Sequence, residues 1–186
     1  VSTVGKENIE PGEDYPTKGH ADGYYFDIKK GRTLDEYQLL YQSEGEGVFQ
    51  SEHCPETTIK AGDIFMLFPG EWHTYHPNRE KGWKSFWIGF KGKNIDDRVK
   101  HGFHSAQKPI YHVGFSNTII NIFEQALKVA DSENPNYQQT LAGIVNFLIG
   151  LMYYRERNSE LQKNSAQVDI IAKSKVMIRE SLETCT

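Results

Sequence analysis

The alternation of apolar and polar positions divides this chain into a strand-rich first part and a helical second part. Between Tyr37 and Phe90, short apolar runs are broken by Gly and Pro at close spacing, which is typical of a small closed or double-layered β structure. After Ser116, apolar residues recur at the three- and four-residue spacing of helices. The pattern therefore predicts a mainly β domain with helices at its C-terminal end.

Three runs predict how the strands are buried. The run from Tyr37 to Gln42 presents Tyr37, Leu39 and Tyr41 to one face and its even-numbered residues to the other. Between Trp83 and Phe90 one face is purely apolar, whereas the other carries two indoles and the Ser85 hydroxyl. We interpret the mixed face as the lining of a cavity, with a fully packed core as the alternative. Ile64–Phe68 is apolar throughout, which predicts burial on both faces.

The remaining segments of the first part have weaker patterns. Gly-x-Gly after Glu44 is a hairpin signal, and Gly, Pro, Glu and Lys near the N-terminus predict irregular chain. These patterns predict an N-terminal arm over residues 1–23, strands at Tyr24–Ile28, Val48–Gln50 and Thr57–Lys60, a hairpin at Ser43–Gly47, and a loop with an edge strand at Lys91–Gly114.

Two helices are predicted next, joined by a short loop that contains Pro135. Ser116 is the N-cap of the first, and the second runs from Asn136 to about Arg157. Their apolar surface exceeds what one barrel face covers, which favours a partner chain, with packing on the barrel alone as the alternative. The predicted dimerization residues are Ile119, Phe123, Leu127, Leu141, Ile144 and Leu148.

Residues 159–186 carry a polar linker followed by an apolar-periodic stretch from Val168 to Leu182. This stretch predicts the start of a truncated second domain. The alternative is a terminal helix that packs back on the first domain.

Composition narrows the choice of function. A net charge of −4 gives no indication of a broad basic surface, which argues against nucleic-acid binding by this chain alone. Cys54 and Cys185 form neither a disulfide framework nor a zinc motif, which fits a reducing compartment and hence a cytoplasmic protein. No apolar stretch reaches membrane-spanning length. Ten Tyr, ten Phe and three Trp residues favour strands and pocket linings.

The histidines do not form a metal site by spacing. A metal-binding cupin needs a His-x-His pair with a following Glu, and another His from a second motif. Only the second motif is visible, at Gly62–His73, because His53 has no partner two residues away. His76 lies three residues after His73, which places the two rings on opposite faces of a strand. We therefore expect neither a metal nor another cofactor, and we find no catalytic motif.

Gly62-Asp-Ile-Phe-Met-Leu-Phe-Pro-Gly-Glu-Trp-His-Thr-Tyr75, with Arg32 upstream and the Trp83–Phe90 strand downstream, resembles the AraC/XylS family of bacterial transcription regulators. The resemblance runs from about Tyr24 to about Arg157. It implies a cupin-like effector-binding domain, a double-stranded β-helix or jelly-roll barrel followed by an antiparallel helix pair. It also implies that helix-turn-helix units belong after the linker.

The resemblance assigns roles to individual positions. It places Arg32, Tyr75 and Trp87 around a sugar, and it places Ser85 where some members have His. Tyr37, Leu39, His73 and Trp83 are possible further pocket residues. An indole covers the apolar face of a sugar and a guanidinium binds its hydroxyls. The alternatives are a surface ion pair for Arg32, plain core for Trp87 and barrel wall for Tyr75.

The resulting hypothesis has four segments: an arm at 1–23, an effector-binding barrel at 24–114, a dimerization hairpin at 115–158, and a linker with the start of a DNA-binding domain at 159–186. The effector is expected to be a small polar molecule, a sugar, that shifts the population of two states. No enzyme activity and no membrane are expected, and DNA is contacted only through the missing domain. The rivals are a metal-dependent cupin enzyme, such as a sugar isomerase or dioxygenase, and a dimerization module with an empty barrel.

Overall fold

Two antiparallel sheets that share one long strand form the body of the domain, with helices packed on one side. The computed structural model describes residues 1–16 and 26–158. The strands are β1 Thr3–Ile9, β2 Arg32–Thr33, β3 Tyr37–Ser51, β4 Thr57–Lys60, β5 Asp63–Leu67, β6 Trp72–Pro77, β7 Trp83–Phe90 and β8 Ile110–His112. The helices are α1 Lys93–Lys100, α2 Asn117–Ser132 and α3 at residues 137–158.

Strand β3 joins the two sheets. Its first half lies in the order β1-β7-β3-β5-β8, and its second half pairs with β4 and β6, with β2 beyond β6. The register along β7 shifts between Gln42 and Glu44, because a bulge bends the strand from one sheet into the other. The predicted hairpin at Ser43–Gly47 is therefore wrong: the glycines mark a bend within one strand. The result is the predicted jelly-roll arrangement, and the described part of the sheet does not close into a cylinder.

One face of the first sheet packs against the helices. We call this cluster the helix-side core; it contains Tyr37, Leu39, Tyr41, Ile64, Met66, Phe86, Ile88, Phe90, Ile119, Phe123, Leu141, Leu148 and further apolar residues. The faces predicted for β3 and β7 are confirmed here. Because side chains alternate along a strand, every second residue of 37–41 in β3 and of 86–90 in β7 lies in this core.

The other face turns inward between the two sheets. We call this cluster the interior core; it contains Leu40, Phe49, Ile59, Phe65, Leu67, Tyr75, Trp83 and neighbours. Strand β5 is buried at all five positions, with Phe65 and Leu67 in the interior core and Ile64 and Met66 in the helix-side core. The prediction that this strand has a layer on each side is confirmed.

The helix pair forms as predicted. The Ser116 hydroxyl accepts a hydrogen bond from the Ile119 amide at 3.3 Å, and α2 ends at Ser132 before Pro135. However, four of the predicted dimerization residues are at most 1% exposed, so they pack on the sheet of their own chain and cannot meet a second copy. These four are Ile119, Phe123, Leu141 and Leu148; Leu127 and Ile144 are half-buried.

Two segments differ from the sequence-based expectation. The N-terminal arm is not irregular throughout, because Thr3–Ile9 pairs with β7 along its whole length. Lys6 of this strand also binds Glu124 of α2 with a 3.0 Å ion pair. Within Lys91–Gly114 the edge strand is confirmed as β8, but α1 was missed, since Ile95 is its one buried residue.

Other expectations fall at or beyond the edges of the described chain. Of the strand predicted at Tyr24–Ile28, residues 24–25 lie outside the described residues, and residues 26–28 are not a strand. The predicted linker and truncated domain at 159–186 also lie outside them. Among the helices of the described residues, none is both long and apolar enough for a membrane span.

Candidate functional site

The inward face of β1, β7 and β3 is built in rows that run across the three strands. Gly5, Trp87 and Leu40 form one row by register. A Cβ on Gly5 would lie 2.0 Å from the Trp87 ring, so the indole occupies the space that a side chain at residue 5 would fill. The glycine is therefore required here by the ring beside it rather than by its own backbone angles. Trp87 Nε1 donates to the Thr3 hydroxyl at 3.4 Å.

Polar rows flank the indole on both sides. On one side Thr3 and Gln38 are both opposite Gly89, and the other row contains Glu7. Glu7, Ser85 and Gln42 are opposite one another on β1, β7 and β3. Both the Trp83 indole N–H and the Ser85 hydroxyl donate to Glu7 Oε1, at 3.2 and 3.3 Å. Burial raises the pKa of the Glu7 carboxyl, and these two donors and the Arg32 charge oppose that rise. A flat apolar ring between polar rows is suited to a ligand that is part apolar and part hydroxylated.

A tight turn places Arg32 opposite this face. The Asp27 carbonyl accepts from the amides of Lys30 and Gly31 at 3.0 and 2.8 Å. Gly31 has a φ of 66°, a conformation that disfavours residues with a Cβ. The chain can then enter β2, where Arg32 pairs with His73 on β6.

The Arg32 guanidinium is held by neighbours on several sides. Nη2 donates to the Tyr75 hydroxyl at 2.7 Å, and Nε points to His73 Nε2 at 3.4 Å. The guanidinium carbon lies 4.5 Å from the centre of the Phe26 ring, within cation–π range. Arg32 is therefore a partly buried cation held by these neighbours, whereas the alternative interpretation placed it on the surface.

His73 is neutral in this environment. The pKa of His73 is lowered to about 4, mainly by burial; the hydrogen bond to the Glu71 carbonyl opposes this shift and the Arg32 charge adds to it. The N–H is assigned to Nδ1, which lies 3.1 Å from that carbonyl oxygen, since Nε2 must accept from Arg32. His76 is on the opposite, half-buried face of β6, as predicted.

Two tyrosine hydroxyls continue the polar wall. The Tyr15 hydroxyl donates to the Tyr75 hydroxyl. Burial raises the pKa of Tyr75 to about 12 despite the nearby Arg32, and burial raises that of Tyr15 well above 10. Both hydroxyls are therefore neutral hydrogen-bonding groups near neutral pH. Tyr15 also meets Trp83 edge to face, with ring centres 5.7 Å apart.

These groups surround a cavity of about 180 Å³. It is smaller than the ~300–1,000 Å³ of pockets for drug-sized ligands, so a molecule of monosaccharide size suits it better than a long chain. Its walls are Thr3, Val4, Glu7, Tyr15, Phe26, Arg32, Gln38, Leu40, Tyr75 and Trp87.

The structure brings together three of the four residues that the resemblance marked. Arg32, Tyr75 and Trp87 all line the cavity, whereas Ser85 touches it only through its hydrogen bond to Glu7. Their effector-binding role stays a prediction.

The four further pocket candidates are not among the residues that line the cavity. Tyr37 and Leu39 were wrong, because both lie in the helix-side core, and the Tyr37 hydroxyl donates to Asp96 at 3.0 Å. Trp83 and His73 lie behind the wall, against Tyr75.

Sequence reasoning missed the contribution of β1 and of the loop after it. Thr3, Val4, Glu7 and Tyr15 come from the segment interpreted as an irregular arm, and Gln38 comes from a strand whose other face was preferred. One signal was present: Thr3, Gly5 and Glu7 alternate with Val4 and Lys6. The surrounding Gly, Pro and charged residues obscured it.

A metal site finds no support in the residues described. Across 1–16 and 26–158, no cluster of three or more His, Cys, Asp or Glu side chains is placed to hold an ion. The nitrogen that a metal would need, His73 Nε2, faces the Arg32 cation instead.

The chain belongs to the AraC-like ligand binding domain family, whose pattern matches residues 15–161. Two curated transcription regulators are similar in sequence. The raffinose operon transcriptional regulatory protein RafR of Pediococcus pentosaceus is 36% identical over 83 residues, 45% of this chain and 30% of that protein. The MmsAB operon regulatory protein of Pseudomonas aeruginosa is 31% identical over 101 residues, 53% and 33% of the two chains. The chain thus spans about a third of the length of the curated relatives it matches.

Solved structures show more distant likeness. Unsaturated fatty acid bound ToxT from Vibrio cholerae has a TM-score of 0.44 at 12% identity, covering 84% of this chain and 55% of that one. A cupin 2 conserved barrel domain protein from Salinispora arenicola has a TM-score of 0.33 at 16% identity, covering 53% and 70%.

Proposed function

We propose that this chain is the effector-binding part of an AraC-type transcription regulator and that it binds a monosaccharide-sized sugar in the cavity. The observation that carries the proposal is that the Trp87 indole, between polar rows, and the Arg32 guanidinium line the same cavity. The indole offers a stacking surface for C–H groups, and Arg32 with Tyr75 offers donors and acceptors for hydroxyls. The raffinose operon named for one relative is consistent with a sugar.

The proposal extends to the regulator as a whole. DNA would be contacted by a further domain, in the cytoplasm, and the effector would act by a difference in affinity for two states. Because four of the six predicted dimerization residues are buried within their own chain, the proposed surface for a second copy is the outer side of α3. Its outer ridge consists of the exposed Phe147 and Tyr154 and the half-buried Ile144 and Leu151. These residues repeat at the three- and four-residue spacing of a coiled-coil seam.

Calorimetric titration of the whole chain with L-arabinose, D-xylose, D-glucose and D-galactose tests the sugar assignment. We expect at least one to bind. Arg32→Ala should weaken binding at least tenfold, as for the loss of a hydrogen bond to a charged group (~1.5–3 kcal/mol), and Trp87→Ala should weaken it by a comparable factor because the stacking surface is lost. Arg98→Ala on α1, which lies on the other side of the sheet, is the matched control. Equal affinity in wild type and both cavity variants would count against the site.

A further inference from the structure

Among the described residues, the walls of the cavity contribute one cation and one anion, from different sheets. Arg32 comes from β2 in the second sheet, and Glu7 comes from β1 at the edge of the first sheet. Both are cavity-lining, and the Arg32 charge acts on the Glu7 carboxyl. A ligand in a space of about 180 Å³ therefore contacts or approaches both charges.

Glu7 is fixed in place rather than mobile. One carboxylate oxygen accepts from both Trp83 and Ser85, and β1 is hydrogen-bonded to β7 on both sides of residue 7. The side chain cannot swing away from an incoming ligand without breaking these bonds. When the carboxyl is ionised, its negative charge is therefore held at a fixed position in the cavity wall.

The two charges make opposite demands on a ligand. An ionised carboxylate only accepts hydrogen bonds, and a guanidinium only donates them. A hydroxyl does both, so a neutral polyol satisfies the two walls together. A ligand carboxylate satisfies Arg32 but meets Glu7 with like charge in a partly buried site, where such repulsion is weakly screened.

We propose that Glu7 is a specificity-determining residue that admits neutral polyhydroxylated ligands and rejects their carboxylate analogues. The proposal rests on the sugar-binding function above and adds to it the sign of the charge that the cavity excludes. It also makes β1 part of the binding site.

The test compares a hexose with the uronate that differs from it only at C6, using D-galactose with D-galacturonate and D-glucose with D-glucuronate. Affinities are measured by calorimetry at pH 7.5 on the whole chain, for wild type and Glu7→Gln. Glutamine keeps the size and the carbonyl acceptor for Trp83 and Ser85. We expect wild type to prefer the hexose at least tenfold, and Glu7→Gln to reduce that preference at least tenfold, chiefly by a gain for the uronate.

Two further variants separate charge from structure. Glu7→Asp keeps the charge and should keep the preference for the hexose. Glu44→Gln removes the same charge from a surface side chain that is 60% exposed and pairs with Lys84, and it should change nothing. Thermal unfolding midpoints of all variants show whether each is folded.

The outcomes separate this inference from the proposed function. Hexose binding with an unchanged preference in Glu7→Gln overturns the role of Glu7 and leaves the sugar assignment standing. Uronate binding by Glu7→Gln, with no hexose bound by either protein, supports the role of Glu7 and overturns the neutral-sugar assignment. Equal wild-type affinity for hexose and uronate overturns the role of Glu7. Absence of binding in every combination overturns both.

Discussion

The two faces of β3 and β7 are made from alternate residues of the same strands, yet they differ in kind. The helix side carries Tyr41, Phe86 and Ile88, all buried in a continuous apolar core. The inward side carries Gln38, Ser85 and Trp87, which surround or support a cavity with two charged groups. The helix side stabilises the domain by apolar burial, so the inward side is free to keep polar groups and space.

The comparison predicts different responses to substitution on the two faces. Changes on the helix side should lower stability without a specific effect on ligand, whereas changes on the inward side should alter ligand binding at smaller cost in stability. The following predictions run from the largest expected effect on stability to the smallest.

Phe123→Ala should have the largest effect. The ring is fully buried and lies against Tyr41 and Phe86, with centres 6.4 and 5.7 Å away. Loss of a buried Phe typically costs ~3–5 kcal/mol, measured as the free energy of unfolding in urea. Phe147→Ala, at a side chain 54% exposed, is the matched control and should cost little. Similar losses in the two variants would mean that α2 does not pack as described.

Acid should destabilise both faces through one histidine each. Burial lowers the pKa values of His73 and His104 to about 4, below the ordinary 6.5. The unfolded state therefore takes up each proton first. Each neutral histidine therefore makes its full contribution to the free energy of unfolding above about pH 6.5. That contribution, on the order of 3 kcal/mol for each histidine, is lost as pH falls toward 4.

Urea unfolding between pH 7.5 and 4.5 measures this loss. His73→Gln and His104→Gln should each flatten the curve, and His101→Gln on the surface should leave it unchanged. Only His73 touches Arg32, so we expect only its protonation to weaken sugar binding. A curve that keeps its full slope in both buried-site variants would contradict the assignment.

Gly5→Ala should act chiefly on the inward face. The new methyl would lie 2.0 Å from the Trp87 ring, so either the indole or β1 must shift, at a cost of ~1–3 kcal/mol typical of overpacking. Sugar affinity and Trp fluorescence should change together.

Gly143→Ala is the control for Gly5→Ala. A Cβ at this α3 position meets nothing within 4 Å, so the change should stabilise the helix by ~0.5–1 kcal/mol. If Gly5→Ala proves as harmless, Trp87 does not rest on the backbone of β1.

Phe147→Arg should have the smallest effect on stability and act on assembly instead. This exposed side chain belongs to the outer ridge of α3, so the free energy of unfolding should change by less than ~0.5 kcal/mol. If the chain dimerizes through α3 as proposed, sedimentation should show a dimer for the wild type and a monomer for this variant. Phe115→Arg changes another exposed ring, which is 61% exposed, and should leave the assembly intact. If both variants dissociate, or if neither does, the ridge is not the proposed interface.

The sequence predicted most reliably what periodicity determines. The faces of β3 and β7, the double burial of β5 and the cap and end of α2 follow from side-chain spacing alone, and the structure confirms them. The resemblance added the order of the strands and the residues to inspect on β2, β6 and β7.

The misses have physical causes. Gly45 bends β3 rather than ending it, and a bulge and a hairpin have the same local composition. The α1 helix buries one residue and so has no apolar stripe to detect. The role of Glu7 depends on the pairing of β1 with β7, which joins residues about eighty positions apart, and local patterns do not report such pairings.

The position of β1 has a consequence for how ligand preference could change. Lys6 faces α2 and Glu7 faces the cavity, since neighbouring residues on a strand point to opposite sides. A slip of β1 by one residue along β7 would exchange the two faces. The cavity would then gain a lysine and lose its carboxylate, and a site proposed to repel anions would attract them, without any change in amino-acid sequence.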